Sequence, residues 1–284
     1  MRRAVCILAV IVCVLLTMTI SHAAEENLMV FCAAAFRLPV EEIVRAFAKQ
    51  AGKEPYVTYA GVGTLFSQIV LGKRGDVFIV PSPDVMEKAR ARGLILPGSI
   101  RSMGYVVPAI NVQKGNPKGI RNLRDMARPG IRLAFANPEI VFVGLLGAEI
   151  VDKSLNPRER NLFRKNIVTY AEDLGKLAAL LVLKQVDAVI GFSYLSAWYP
   201  DKIDTVRLNP DEIQRIGVGQ AAILSYSRST SQAEKFLEYL ALQQSQAVFK
   251  KYHYFATVEE ATTWLGANKP VGGDYQLPTD WTGH

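Results

Sequence analysis

Enzyme chemistry needs side chains that attack, exchange protons or hold a metal, and this sequence offers few of them in working combinations. Its histidines are His22, His253 and His284. One sits in an apolar opening segment, one in "KKYHYF" and one at the last position, so neither a triad nor an imidazole metal site is supported. Glu139 stands near a helix start, where a carboxylate most often complements the helix dipole. With no nucleophile–base pair, the expectation is a protein that is not an enzyme and uses no cofactor and no metal. What the chain does supply is backbone. "CAAAF" (32–36), "YAGVGT" (59–64), "ANPEIVFVG" (136–144) and "AEDLG" (171–175) each join a strand-like run to a helix start. Helix-start N–H groups are a ready site for an anion. Gly61 and Gly63 either relieve a tight turn or admit a ligand close to the backbone. "AGVGTL" itself is not a phosphate-binding loop, because no Gly-Lys-Ser/Thr comes after it.

The elements around these joints alternate. "LMVFCA" reads as a strand, and Val40, Ile43, Val44 and Phe47 then recur at i, i+3, i+4, i+7, one buried helix face. Pro39 belongs in that helix's first turn. "YVTYA", "GTLFSQIVLGK", "DVFIV" and "SPDVMEKARARGLI" continue the rhythm, which predicts a mainly parallel sheet covered by helices on both faces. "SMGYVVPAINVQKGNPKGI" reads as a crossing into a second such unit, built from "IRLAFA", "NIVTYA" and "DAVIGF" with their helices. "GVGQAAILSY" reads as the return, and "SQAEKFLEYLALQQSQAVFKKY" as one long helix. The expected fold class is α/β in two lobes, each a mainly parallel sheet flanked by helices, with two crossing strands as hinge. The boundaries are 24–107 for the first lobe, 108–218 for the second, and 219–284 for a return to the first lobe with a C-terminal helix and tail.

Arg2 and Arg3, the apolar "AVCILAVIVCVLLTMTI" and "SHA" before Ala24 have the layout of a signal peptide over 1–23. The expected location is the periplasm, reached with a cleavable signal; an uncleaved membrane anchor is the alternative. Of three cysteines only Cys32 would then remain, and one cysteine cannot form an internal disulfide. It reads as a small buried strand residue. Loss of Arg2 and Arg3 lowers the formal charge from +7 to +5. That balance suits attraction of anions to a cleft. Basic residues do not interleave with aromatics, so nucleic acid is not a partner.

The ordered set "VFCAAAF…VEEIVRAF…YAGVGTLFSQIVLGKRGDVFIVPS", "LAFANPEIVFVG", "AEDL", "DAVIGF" and "AVFKKYHY" resembles the periplasmic molybdate-binding proteins of ABC importers, from Leu28 to Phe255. The resemblance implies a type II periplasmic binding-protein fold, a monomer, that closes on a small oxyanion (molybdate- or tungstate-like) and delivers it to an ABC permease in the inner membrane. It also implies which positions meet the ligand. The family's two ligand serines fall on Phe36 and Val62, its backbone donors in the second lobe on Val143 and Leu174, and its tyrosine on Phe192. The three side-chain hydroxyls are therefore absent, while any residue but proline keeps its N–H. Ala35 and Gly63 adjoin these positions, Thr64 and Ser193 stand near enough to supply hydroxyls, and Arg37 and Tyr194 are further candidates. A different small anion or carboxylate, or a sensor or interaction protein on the same fold, are the alternative functions.

Overall fold

The computed structural model describes residues 27–283; the expected signal peptide lies outside them. Ten strands form two five-stranded sheets. The first contains β1 (Met29–Ala33), β2 (Tyr56–Ala60), β3 (Val77–Val80), β4 (Arg101–Val106) and a late strand, β10 (Gly217–Ile223), in the order β2-β1-β3-β10-β4. The second contains β5 (Pro108–Gln113), β6 (Leu133–Ala136), β7 (Ile167–Ala171), β8 (Ala188–Phe192) and β9 (Ile203–Val206), in the order β7-β6-β8-β5-β9. β1 runs parallel to β2 and β3, and β6 parallel to β7 and β8. The strands beside each crossing, β10 and β5, pair antiparallel. The chain therefore passes between the lobes at Val107 and returns between β9 and β10.

The sequence forms these elements for local reasons. "VFIV" and "AVIGF" are buried along their whole length, as strands covered on both faces must be. Each lobe pins such a strand to its neighbour with a buried aspartate. Asp76, ahead of β3, accepts the Met29 N–H at the start of β1 at 2.8 Å. Asp187, ahead of β8, accepts the Arg132 N–H just before β6 at 2.8 Å. Two neutral-to-charged bonds of this kind contribute about 1.5–3 kcal/mol each. The helix Arg37–Ala51 buries Val40, Ile43, Val44 and Phe47 and stops at Gly52, whose φ of 75° makes a left-handed cap that costs glycine little.

Three features depart from the sequence reading. A helix at Pro157–Lys165 and the strand β9 occupy segments with no element assigned to them. The expected long helix is two, Thr230–Ala241 and Gln243–Lys251, because Leu242 between them is extended (φ −65°, ψ 148°). The third departure is the tail. After Phe255, which pairs with β4 through Tyr105, the chain crosses a third time and packs on the second lobe. The segment after Phe255, expected as part of a return to the first lobe over 219–284, is instead buried with second-lobe residues. The reason is apolar: Ala261, Leu265 and Trp281 are buried in the same cluster as Ile110, Leu133 and Phe135. Trp281 stacks on Phe135 at 4.9 Å between centroids, and its Nε1–H donates to Asp152 at 2.9 Å.

The other cluster runs unbroken from Val30 and Phe78 of the first lobe to Phe142, Leu174 and Phe192 of the second, so the lobes are closed on one another. The position of Trp281 carries a prediction. It is wholly buried, and Trp281→Ala is expected to cost about 3–5 kcal/mol. At roughly 2–4 °C per kcal/mol for a chain of this size, melting should fall by about 10 °C. A Tm within two or three degrees of the parent protein's would show that the tail is not part of the core.

Candidate functional site

Four helix starts converge where the lobes meet. Val62 and Leu174 are the first residues of the helices Val62–Gly72 and Leu174–Val182. Val143 is the second residue of the helix Phe142–Ser154, and Ala35 lies in a short turn of helix at Ala34–Phe36. First-turn N–H groups have no acceptor within their own helix, and together they place positive partial charge at one point. Asp173 caps its helix by accepting from the Lys176 N–H at 2.8 Å. Asn137 instead closes a turn, accepting from the Glu139 N–H at 2.9 Å, and the helix begins only at Phe142.

Between these starts lies a cavity of about 10 Å³, lined by Ala33–Ala35, Ala60–Val62, Pro81, Val141–Val143, Leu174 and Phe192. That is room for about one water. No lining side chain carries a charge or a hydroxyl, so polar recognition falls to the backbone. A groove of about 410 Å³ adjoins it at the mouth of the cleft. It shares Val62, Val141 and Phe142 with the cavity and adds Gly63, Phe66, Ser67, Lys88, Arg92 and Ile140 among others.

The structure thus brings Ala35, Val62, Val143, Leu174 and Phe192 to one cavity and leaves the other sequence candidates outside it. Gly63 lines the groove, and its N–H donates across the cleft to the Ile140 carbonyl at 2.9 Å. The Phe36 ring is fully buried and packs on Tyr254 (5.5 Å) and Phe249 (6.2 Å), so it fills the hinge core instead of walling the ligand space. Tyr194 is not a free hydroxyl either. It stacks between Phe192 and Tyr254 and donates to the Ala35 carbonyl at 2.7 Å, with Tyr254 donating to the same oxygen. Burial pushes both phenols well above their ordinary range, so both stay donors. Ser193 borders a separate hollow with His253 and Trp264. Thr64 lines neither the cavity nor the groove. Arg37 is exposed, bonded to Glu41 at 2.7 Å and lying over the Tyr59 ring. Burial also raises the Cys32 thiol, which leaves it protonated and unreactive.

Sequence reasoning did not anticipate the Ile140 and Glu172 carbonyls on the facing lobe. A Cβ on Gly61 would lie 2.4 Å from the Glu172 oxygen and 3.0 Å from that of Ile140, and one on Gly63 would lie 2.9 Å from the Ile140 Cα. The glycine pair was the available signal, but a carbonyl that any residue could carry leaves none.

Comparisons with known proteins agree with the two-lobed fold. Residues 28–255 match the family described as bacterial extracellular solute-binding protein. The molybdate-binding protein ModA of Escherichia coli is 26% identical over 82% of this chain and 90% of its own. A sulfate-binding protein of Synechococcus elongatus is 25% identical over 78% of this chain and 70% of its own. Among solved structures, the periplasmic molybdate-binding protein of Azotobacter vinelandii superposes with a TM-score of 0.70 at 23% identity, over 81% of this chain and all of its own.

Neither glycine needs a left-handed backbone: Gly61 is extended at φ −61° and Gly63 is helical. Alanine at both positions therefore suits each lobe and clashes only with the facing one. The Gly61→Ala/Gly63→Ala protein should melt cooperatively yet show a larger radius of gyration by small-angle scattering. An unchanged radius would mean that the lobes do not close through this contact.

Proposed function

Because this chain belongs to the family of bacterial extracellular solute-binding proteins, which are not enzymes, we propose that it captures a small oxyanion of the molybdate or tungstate kind between its lobes and hands it to an ABC permease. One observation carries the reading: the cavity at the convergence of four helix starts has no charged or hydroxylated side chain on its wall. An anion seated there is neutralised by oriented peptide dipoles, each helix supplying roughly half a positive charge at its start. The donors proposed are the first-turn amides around Ala35, Val62, Val143 and Leu174, with Phe192 as apolar wall. The names of the relatives in Escherichia coli and Synechococcus elongatus support a tetrahedral oxyanion.

The closed cavity admits little more than water, so binding requires the lobes to part. The Gly63 amide must let go of Ile140 before the ligand enters. With three family hydroxyls replaced and each hydrogen bond to a charged group contributing about 1.5–3 kcal/mol, affinity is expected to fall well below that of a site with hydroxyls. The adjoining groove favours a second reading. Its volume suits a larger anion such as a small carboxylate, anchored in the cavity and extending outward past Lys88 and Arg92, with Asp84, Glu139 and Asp274 also on the groove wall.

A thermal-shift panel of molybdate, tungstate, sulfate, phosphate and citrate separates the two. A ligand present at 100 times its Kd adds about 2.7 kcal/mol to the native state, a rise of roughly 5–10 °C at this chain length. Molybdate or tungstate should produce it; a rise with citrate alone selects the larger anion, and no rise with any of the five sinks both readings. Val62→Ser, which adds one hydroxyl at the wall, should tighten molybdate binding about tenfold by calorimetry. Phe36→Ser should not tighten it, since that ring belongs to the hinge core and its loss would cost about 3–5 kcal/mol of stability.

A further inference from the structure

The family match ends at residue 255, and the tail beyond it touches both lobes. The far end of the tail is rooted in the second lobe. Trp281 lies in that core under the Arg164 guanidinium, 4.4 Å from its ring. Trp281 and Tyr275 both donate to Asp152, at 2.9 and 2.6 Å, and the Gly283 N–H donates to Glu139 at 3.0 Å. The middle of the tail runs beside the second hinge passage, where Ile216 and Gly272 exchange backbone bonds with Pro270 and Ile216. There it meets the first lobe. The Gly273 N–H donates to Asp84 Oδ1 at 2.9 Å, and Asp84 opens the helix Pro83–Ala91 of that lobe.

Arg215 completes the junction. It is 4% exposed and donates to three bodies at once: Nε to Glu149 of the second lobe at 2.7 Å, Nη1 to Asp84 of the first at 3.0 Å, and Nη1 to the Gly273 carbonyl of the tail. A guanidinium removed from water needs such partners, and its planar fork can face several of them together. Opening the cleft would carry Asp84 away from both Arg215 and Gly273 while Glu149 and the tail stay with the second lobe.

We propose that residues 270–283 are a strap that holds the lobes closed, rooted in the second lobe by Trp281 and tied to the first through Asp84, with Arg215 as the clasp. The strap also borders the mouth of the cleft, since Gly273 and Asp274 line the outer groove. It lies beyond the matched family segment, and it sets how readily the cleft opens whatever the ligand is.

The test needs no ligand. Leu71 and Leu183 are exposed on opposite lobes, at 84% and 66%. Spin labels on Leu71→Cys and Leu183→Cys report the interlobe distance, and the buried Cys32 stays unlabelled. In that background Asp84→Ala is expected to broaden the distance distribution toward longer values. Hydrogen exchange should show the Gly273 amide losing its protection, while the Trp281 amide keeps its own. Glu87→Ala, which removes a carboxylate from the same helix but bonds only Arg90, should change neither readout. A distance distribution for Asp84→Ala identical to the parent's, or the same broadening from Glu87→Ala, would overturn the strap. Cooperative melting of both variants shows that the readouts come from folded protein.

Discussion

The lobes of this protein meet backbone to backbone, and the site depends on that contact. The Gly63 amide reaches the Ile140 carbonyl at 2.9 Å, and both Gly61 and Gly63 approach the facing chain too closely for a Cβ. Side chains at most neighbouring positions are free to change as long as the peptide groups keep their places. A wall of alanine, valine, leucine and phenylalanine can therefore surround a polar function. At the mouth of the cleft, where both residues are half-buried, the Ile140 carbonyl and the Gly63 amide satisfy each other in the closed form.

The hinge is held differently, by aromatic rings. Phe192, Tyr194 and Tyr254 stack in sequence at 5.4 and 4.1 Å, and Phe36 lies against Tyr254. Offset aromatic pairs contribute about 0.5–1.5 kcal/mol beyond their burial. Two phenols converge on the Ala35 carbonyl, which fixes the peptide plane at the end of β1, next to the cavity. The position that carries a serine in the resembled family holds a ring here, and that ring has become part of the hinge.

Much of the fold could be read from the sequence because it rests on periodicity. The runs "MVFCA" and "VFIV" and the stripe Val40, Ile43, Val44, Phe47 are buried as their spacing demands. The helix Pro157–Lys165 escaped for the opposite reason. It buries only Phe163 and is specified by the Asn156–Glu159 capping box with Pro157 at its first position, a signal of hydrogen bonds and not of hydrophobicity. The break at Leu242 is also hidden, since an apolar residue fits a helical stripe whether or not its backbone stays helical. At the site, positions at helix starts could be placed because strand ends could be found. Side-chain direction could not: the burial of Phe36, the turn of Tyr194 toward Ala35 and the outward course of Arg37 are decided by neighbours distant in sequence. The partners of Trp281, more than a hundred residues away, left no trace in its local sequence.

The third crossing at Tyr254 and Phe255 has a mechanical consequence. Leu28 enters the first sheet, whereas Trp281 is seated in the core of the second lobe. The two extremities of the described chain thus ride on different rigid bodies. Tension applied between them is borne at the junction of the lobes, by the covalent hinge passages together with the bonds between lobes such as Gly63–Ile140, instead of within one lobe. A pull on its extremities therefore acts on the relation between the lobes and not on the interior of either one.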